Sequence, residues 1–184
     1  MRELSLHILD IAQNSVTAGA KNISILVDSD TKTDWITIEI TDDGKGMSEE
    51  LVKKVTDPFV TSRTTRKVGL GIPLFKHAAE AAGGDFEIRS VLGEGTTVTA
   101  RLRLRHIDRQ PMGKLEETMA ILIGGSPGVD FSLQMRHDGR GFEIDTRSMR
   151  ELLGGVPLNT PEVLTWTREY IREKMNDLYG GADI

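Results

Sequence analysis

The chain has 184 residues, 38% hydrophobic and 28% charged, with a net charge of −5 and no cysteine, which suits one globular domain or one domain with an appendage. The negative balance argues against non-specific nucleic-acid binding. The lack of cysteine excludes disulfides, a thiolate nucleophile and Cys-ligated zinc, and no apolar run approaches the roughly 20 residues of a membrane span.

The start, Met1-Arg2-Glu3-Leu4-Ser5-Leu6, carries charge too early for a signal peptide, so the expected setting is cytoplasmic, with no membrane. Residues 3–17 read as a helix. Leu4, Ile8, Ile11, Ala12 and Ser15 make its apolar face, widened by Leu9 and Val16. Glu3, His7, Asp10, Asn14 and Thr17 line up as a polar strip on the other flank. Such a strip is either the solvated side of an amphipathic helix or a row of ligands, and spacing alone does not decide. An amide oxygen at Asn14 suits Mg²⁺, which takes oxygen ligands and keeps several waters; Asp10, one turn earlier, faces the same space. Gly19 fits a left-handed helix end.

Residues 35–41 alternate, Ile36, Ile38 and Ile40 against Thr37, Glu39 and Thr41. Continued parity turns Asp42 toward the core, where a carboxylate is costly unless a donor meets it. The exocyclic amine of adenine is such a donor, and Gly44 and Gly46 would let backbone approach the ring; Met47 follows in the same turn. Asp-Asp-Gly is also good turn chemistry in its own right. Next comes a loop, 60–68, with Arg63, Arg66 and Lys67, then Gly69-Leu70-Gly71-Ile72 opening a helix over 72–82 with Pro73 in its first turn. Free donors at a glycine-preceded helix start make an anion site. The cations either close over phosphates or form an exposed basic loop. Residues 85–91 and 96–105 read as a hairpin around Leu92-Gly93-Glu94-Gly95, its arginines 101, 103 and 105 forming a row that is either a solvated sheet face, the expected reading, or a site for an acidic partner.

Beyond a connector at 107–112, Leu115, Met119, Leu122 and Ile123 suggest a helix, and 131–136 and 142–145 a hairpin. A short helix over 148–153 and a last one reaching about residue 178 follow, the latter with Thr160 as N-cap and Pro161 first. No catalytic constellation stands out there. The segment is expected to extend the sheet, dimerise the protein or bind a partner.

Taken together, the motifs resemble the GHKL, or Bergerat-fold, ATPase superfamily of type II topoisomerases, heat-shock chaperones, sensor histidine kinases and MutL-type proteins. Residues 9–15 with Ala18-Gly19-Ala20 resemble its N box, Asp42 to Gly46 its D-x-G-x-G box, Gly69 to Ile72 its second glycine box, and Gly93 to Val98 its third. The resemblance covers residues 1–106, with 107–184 a small α/β extension, and the full chain is similar to short stand-alone members. It implies an α/β (α+β) two-layer sandwich, with helices on one face of a mixed sheet. It also implies ATP and Mg²⁺ as ligands. Asn14 would coordinate the metal, Asp42 would receive the adenine amine, and Thr96 or Thr97 would back the base. Met47, Arg63, Gly44, Gly46, Gly69, Leu70, Gly71 and Ile72 would shape the remainder of the pocket.

Members that hydrolyse ATP usually carry Glu where this chain has Asp10. The reach is shorter by one methylene, about 1.5 Å, and a misplacement on that scale can cost about a hundredfold in rate. Slow chemistry by Asp10 is therefore expected. The chain begins almost at the N box, so a complete sensor histidine kinase is not expected. His7 shares the strip with Asp10, either as a surface histidine or as a group near the γ-phosphate. The expected activity is transfer of the γ-phosphate to a partner or slow hydrolysis. The alternative is a nucleotide-gated interaction module, and a homodimer is left open.

Overall fold

A computed structural model describes residues 2–56 and 70–181; Arg63, Arg66, Lys67 and Gly69 lie outside the described residues. In chain order come α1 (Leu4–Thr17), β1 (Asn22–Asp30), β2 (Trp35–Asp42), α2 (Glu49–Val55), α3 (Gly71–Ala81), β3 (Asp85–Val91) and β4 (Gly95–Arg103). Then follow α4 (Leu115–Gly125), β5 (Asp130–His137), β6 (Arg140–Asp145), α5 (Thr146–Leu153) and α6 (Pro161–Tyr179).

The strands form one six-stranded sheet in the order β3-β4-β2-β1-β5-β6. It is mixed: β1 runs antiparallel to β2 and parallel to β5. The period of two along each strand sends Ile23, Ile25 and Val27, Ile36, Ile38 and Ile40, Val98, Ala100 and Leu102, and Phe131, Leu133 and Met135 to one side. There they meet the apolar stripes of α1, α3, α4 and α6 in a single cluster. The opposite face carries the polar set and stays open, as two layers require. On it, the Arg101 and Arg103 guanidinium groups lie 4.4 and 3.9 Å from the centre of the Trp35 ring, so the expected solvated arginine row also covers an indole.

The segment after residue 106 adds β5 and β6 beyond β1 and continues both the sheet and the helical layer. Two elements go beyond the sequence reading. In β1, the alternation of Ile23, Ile25 and Val27 is broken by Leu26, which lies half-buried on the open face. In α2, Ser48 accepts from Leu51 N at 3.3 Å, and acidic first-turn and basic last-turn residues complement the helix dipole. One expectation is corrected. Thr160 occupies the N-cap position of α6 but makes no cap bond with its side chain, and its hydroxyl is buried without a partner.

Candidate functional site

The second half of α1, the Asp42 end of β2 and the start of α3 converge at one edge of the helical layer. Asp42 lies on the core side of β2, as its parity with Ile40 demands, and is 9% exposed. Both its oxygens have protein donors. Ser15 Oγ donates to Oδ2 at 2.5 Å, and the Gly44 N–H donates to Oδ1 at 2.9 Å. A carboxylate oxygen accepts more than one bond, so acceptor capacity remains. Helical spacing places Ser15 on the apolar face and gives it no role at the site. A lone hydroxyl at a buried helical position is the available signal for that role, because buried polar groups are hydrogen-bonded.

Neighbouring Asp43 behaves differently. Its carboxylate accepts from the Lys21 and Asn22 backbone N–H groups and from the Asn22 side chain, at 2.7 to 2.9 Å. The Asn22 bonds hold it below the ordinary carboxylate range. Asp43 ties down the turn, which leaves Asp42 as the candidate carboxylate.

The glycines of that turn are needed first for contacts within the chain. At Gly46, φ is +61° and a Cβ would collide with the Val91 carbonyl oxygen. At Gly44 a Cβ would stand 3.0 Å from Asp42 Oδ1, so a side chain there would crowd the carboxylate's open side. Ser90, which the motifs do not single out, organises the adjacent corner. Its hydroxyl donates to the Gly95 carbonyl at 2.9 Å, leaving its oxygen to accept from the Thr96 hydroxyl at 2.8 Å and from Met47 N at 2.8 Å. Thr96 shares the core face with Asp42, its partner in the β2–β4 register. Thr97 points to the opposite face and pairs with Thr41 at 3.1 Å. The structure therefore brings Thr96, and not Thr97, to the Asp42 side of the sheet.

On α1, Asp10 is half-buried and Asn14 exposed. A Cβ on Gly71 would meet Asp10 Oδ2 at 2.9 Å and Asp10 Cβ at 3.0 Å. The absent side chain lets the first turn of α3 close on the carboxylate. Ile72 packs into the core and Leu70 is 62% exposed. No group of three or more His, Asp or Glu side chains able to hold a metal occurs among the described residues. A Mg²⁺ held by Asn14 oxygen would take its other ligands from phosphate and water, which is how that ion is commonly bound. The donor set fits it.

The view of His7 as a surface residue is overturned. It is 1% exposed and stacks on Phe75, ring centres 5.0 Å apart and planes at 13°. The polar strip therefore begins only at Asp10, because α3 covers α1 one turn earlier. A cleft of about 980 Å³ lined by Asp28, Trp35, Thr37, Arg101 and Arg136 lies on the open sheet face, away from these groups. None of the described glycine-motif residues borders it.

A mixed sheet with one helical face, a buried carboxylate at a strand end and a glycine-started helix closing on a second carboxylate make up a two-layer α/β sandwich. The family described as histidine kinase-, DNA gyrase B-, and HSP90-like ATPase matches residues 2–106, and the chain belongs to that family. It is 29% identical over 108 residues to a putative sensor histidine kinase NtrY-like of Rickettsia conorii, covering 59% of this chain and 18% of that protein. Against the non-motile and phage-resistance protein of Caulobacter vibrioides it is 32% identical over 112 residues, 56% of this chain and 13% of the other. Against the sensor histidine kinase WalK of Bacillus subtilis it is 34% identical over 86 residues, 44% of this chain and 14% of the other. The chain thus spans less than a fifth of the length of these curated relatives. The Aquifex aeolicus MutL ATPase domain complexed with ADP superposes with a TM-score of 0.47 at 18% identity, covering 84% of this chain and 68% of that one. Among the described residues, no helix is long and apolar enough to cross a membrane.

Proposed function

We propose that the protein binds Mg-ATP between α1, the Asp42 end of β2 and the start of α3, and passes the γ-phosphate to a partner protein or, slowly, to water. The observation that carries this reading is the placement of Asp10 and Asn14 one turn apart on α1, with the glycine-started α3 closed on Asp10. In this reading Asp42 accepts the exocyclic amine of adenine, and its bonds to Ser15 and Gly44 hold it in position. Asn14 would hold Mg²⁺, which supplies charge neutralisation at the phosphates. Asp10 accepts the proton of the attacking water or hydroxyl. The names of the sensor histidine kinases among the relatives support phosphate transfer to a protein.

The short side chain of Asp10 favours slow turnover, and so gives weight to a second reading in which bound ATP changes partner binding without being consumed. One experiment separates them: following the γ-labelled phosphate of Mg-ATP with the wild type and with Asn14→Ala. Asn14-dependent release of phosphate, or labelling of an added partner, supports the transfer reading. ATP that is bound but stays intact would exclude hydrolysis by the protein alone and leave transfer to a partner or gating, which labelling of an added partner then separates. Absence of binding would sink both.

A further inference from the structure

The helix that carries Asp10 and Asn14 is held at its first turn by the segment 107–113, which lies beyond the part of the chain that the family matches. A helix start leaves N–H groups without intrahelical partners. Glu3, at the N-cap of α1, offers no side-chain cap bond. Instead the Leu4 and Ser5 N–H groups donate to the Pro111 and Met112 carbonyls at 2.9 and 2.8 Å. The Ser5 carbonyl accepts in turn from the buried Thr118 hydroxyl of α4 at 3.1 Å.

This strap is itself anchored. Met112 is 1% exposed. The Arg109 guanidinium donates to the Leu104 carbonyl at 2.6 Å and to the Gln110 carbonyl at 3.1 Å. At Gly113 φ is +75°, and a side chain there would collide with Glu3. From the strap Gln110 reaches His7, with Oε1 and Nε2 3.0 Å apart. With the amide oxygen accepting, Nε2 carries the proton. The same ring stacks on Phe75 of α3. One turn further along α1 is Asp10, and one turn earlier along α3 is Gly71, its contact. His7 therefore spaces the two helices directly behind the Asp10–Gly71 contact, and Gln110 sets its ring.

We propose that Gln110 is a positioning residue for the ATP site, acting through His7 on the α1–α3 spacing that seats Asp10. The inference rests on the ATP-site reading above. By thermodynamic reciprocity, nucleotide that draws α1 and α3 to their working separation must also bias the His7–Gln110 pair. The His7 ring signal in ¹H–¹⁵N spectra and Mg-ATP affinity are both measured in the wild type, Gln110→Ala, His7→Phe and the double variant, with thermal unfolding as the fold control.

The wild-type ring is expected to report a neutral Nε2–H imidazole that shifts as Mg-ATP saturates the site. Gln110→Ala should weaken Mg-ATP several-fold without loss of fold, and should weaken it no further when combined with His7→Phe. Rescue by Gln110→Glu, which keeps the acceptor, separates a specific bond from general packing. An unmoved ring at full Mg-ATP occupancy, or equal losses from Gln110→Ala in the wild-type and His7→Phe backgrounds, would overturn the proposal while leaving the ATP-site reading intact. Failure of the wild type to bind Mg-ATP at all would overturn the site reading first and this inference with it.

Discussion

The first turns of α1 and α3 pose the same chemical problem and solve it in opposite ways. Each presents backbone donors with no side-chain cap. At α1 those donors are closed off by the Pro111 and Met112 carbonyls, reinforced by Thr118 and the Gln110–His7 pair. At α3, among the described residues, the Asp10 carboxylate stands against Gly71 of the first turn, and Pro73 removes one N–H there. The start of α1 is sealed with neutral acceptors. In the proposed ATP site, the start of α3 keeps its positive potential for a phosphate.

The largest effect that tests this contrast comes from the open start. Gly71→Ala puts a methyl 2.9 Å from Asp10 Oδ2. The methyl also stands 3.0 Å from Asp10 Cβ, which is fixed to α1, so the carboxylate must swing aside and the two helices must part slightly, which displaces Asp10. Turnover of Mg-ATP is expected to fall by about a hundredfold; an unaltered rate at full occupancy would separate Asp10 from the chemistry. Next comes the sealed start. Gly113→Ala imposes a positive φ on a side chain that also meets Glu3, and a loss of about 1–2 kcal/mol in denaturant unfolding is expected.

A smaller loss is expected from Thr118→Val, which removes the buried donor to the Ser5 carbonyl; about 1 kcal/mol follows from the usual worth of such a bond. Wild-type stability against Thr118→Val in a urea titration reads it directly. The smallest effect is that of pH. Burial, outweighing the bond to Gln110, lowers the His7 imidazole from its ordinary 6.5. Folded protein then binds this proton less readily than unfolded protein. The contribution of His7 is complete above about pH 6.5 and is lost progressively as pH falls below it. The unfolding midpoint of the wild type should therefore drop more between about pH 7 and pH 5 than that of His7→Phe. Asp43, held low by its Asn22 bonds, acts only at more acid pH, below about 4, and does not obscure the comparison.

What the sequence determined by itself was the local pattern and the motifs. Helical spacing drew α1, period-two alternation drew β2 and the β3–β4 hairpin, and the parity of β2 sent Asp42 inward. Each of these is a property of near neighbours on one element. Legible too was the family, because the Asn14, Asp42 and glycine motifs recur in order along residues 2–106.

Only the tertiary structure decided the partners. Period and polarity assign Ser15 to an apolar face and His7 to a surface strip, yet Ser15 donates to Asp42 and His7 lies between Phe75 and Gln110. Those outcomes depend on residues 27 and 103 positions away in the chain, and no local signal encodes them. The alternation of Thr96 and Thr97 could be read locally, but which of them shares a side with Asp42 required the β2–β4 register. Gly46 and Gly71 could be recognised as glycines, but their purpose, contact with the Val91 carbonyl and with Asp10, belongs to the packed chain. A sequence specifies which groups need partners; burial and chain crossing decide which partners they receive.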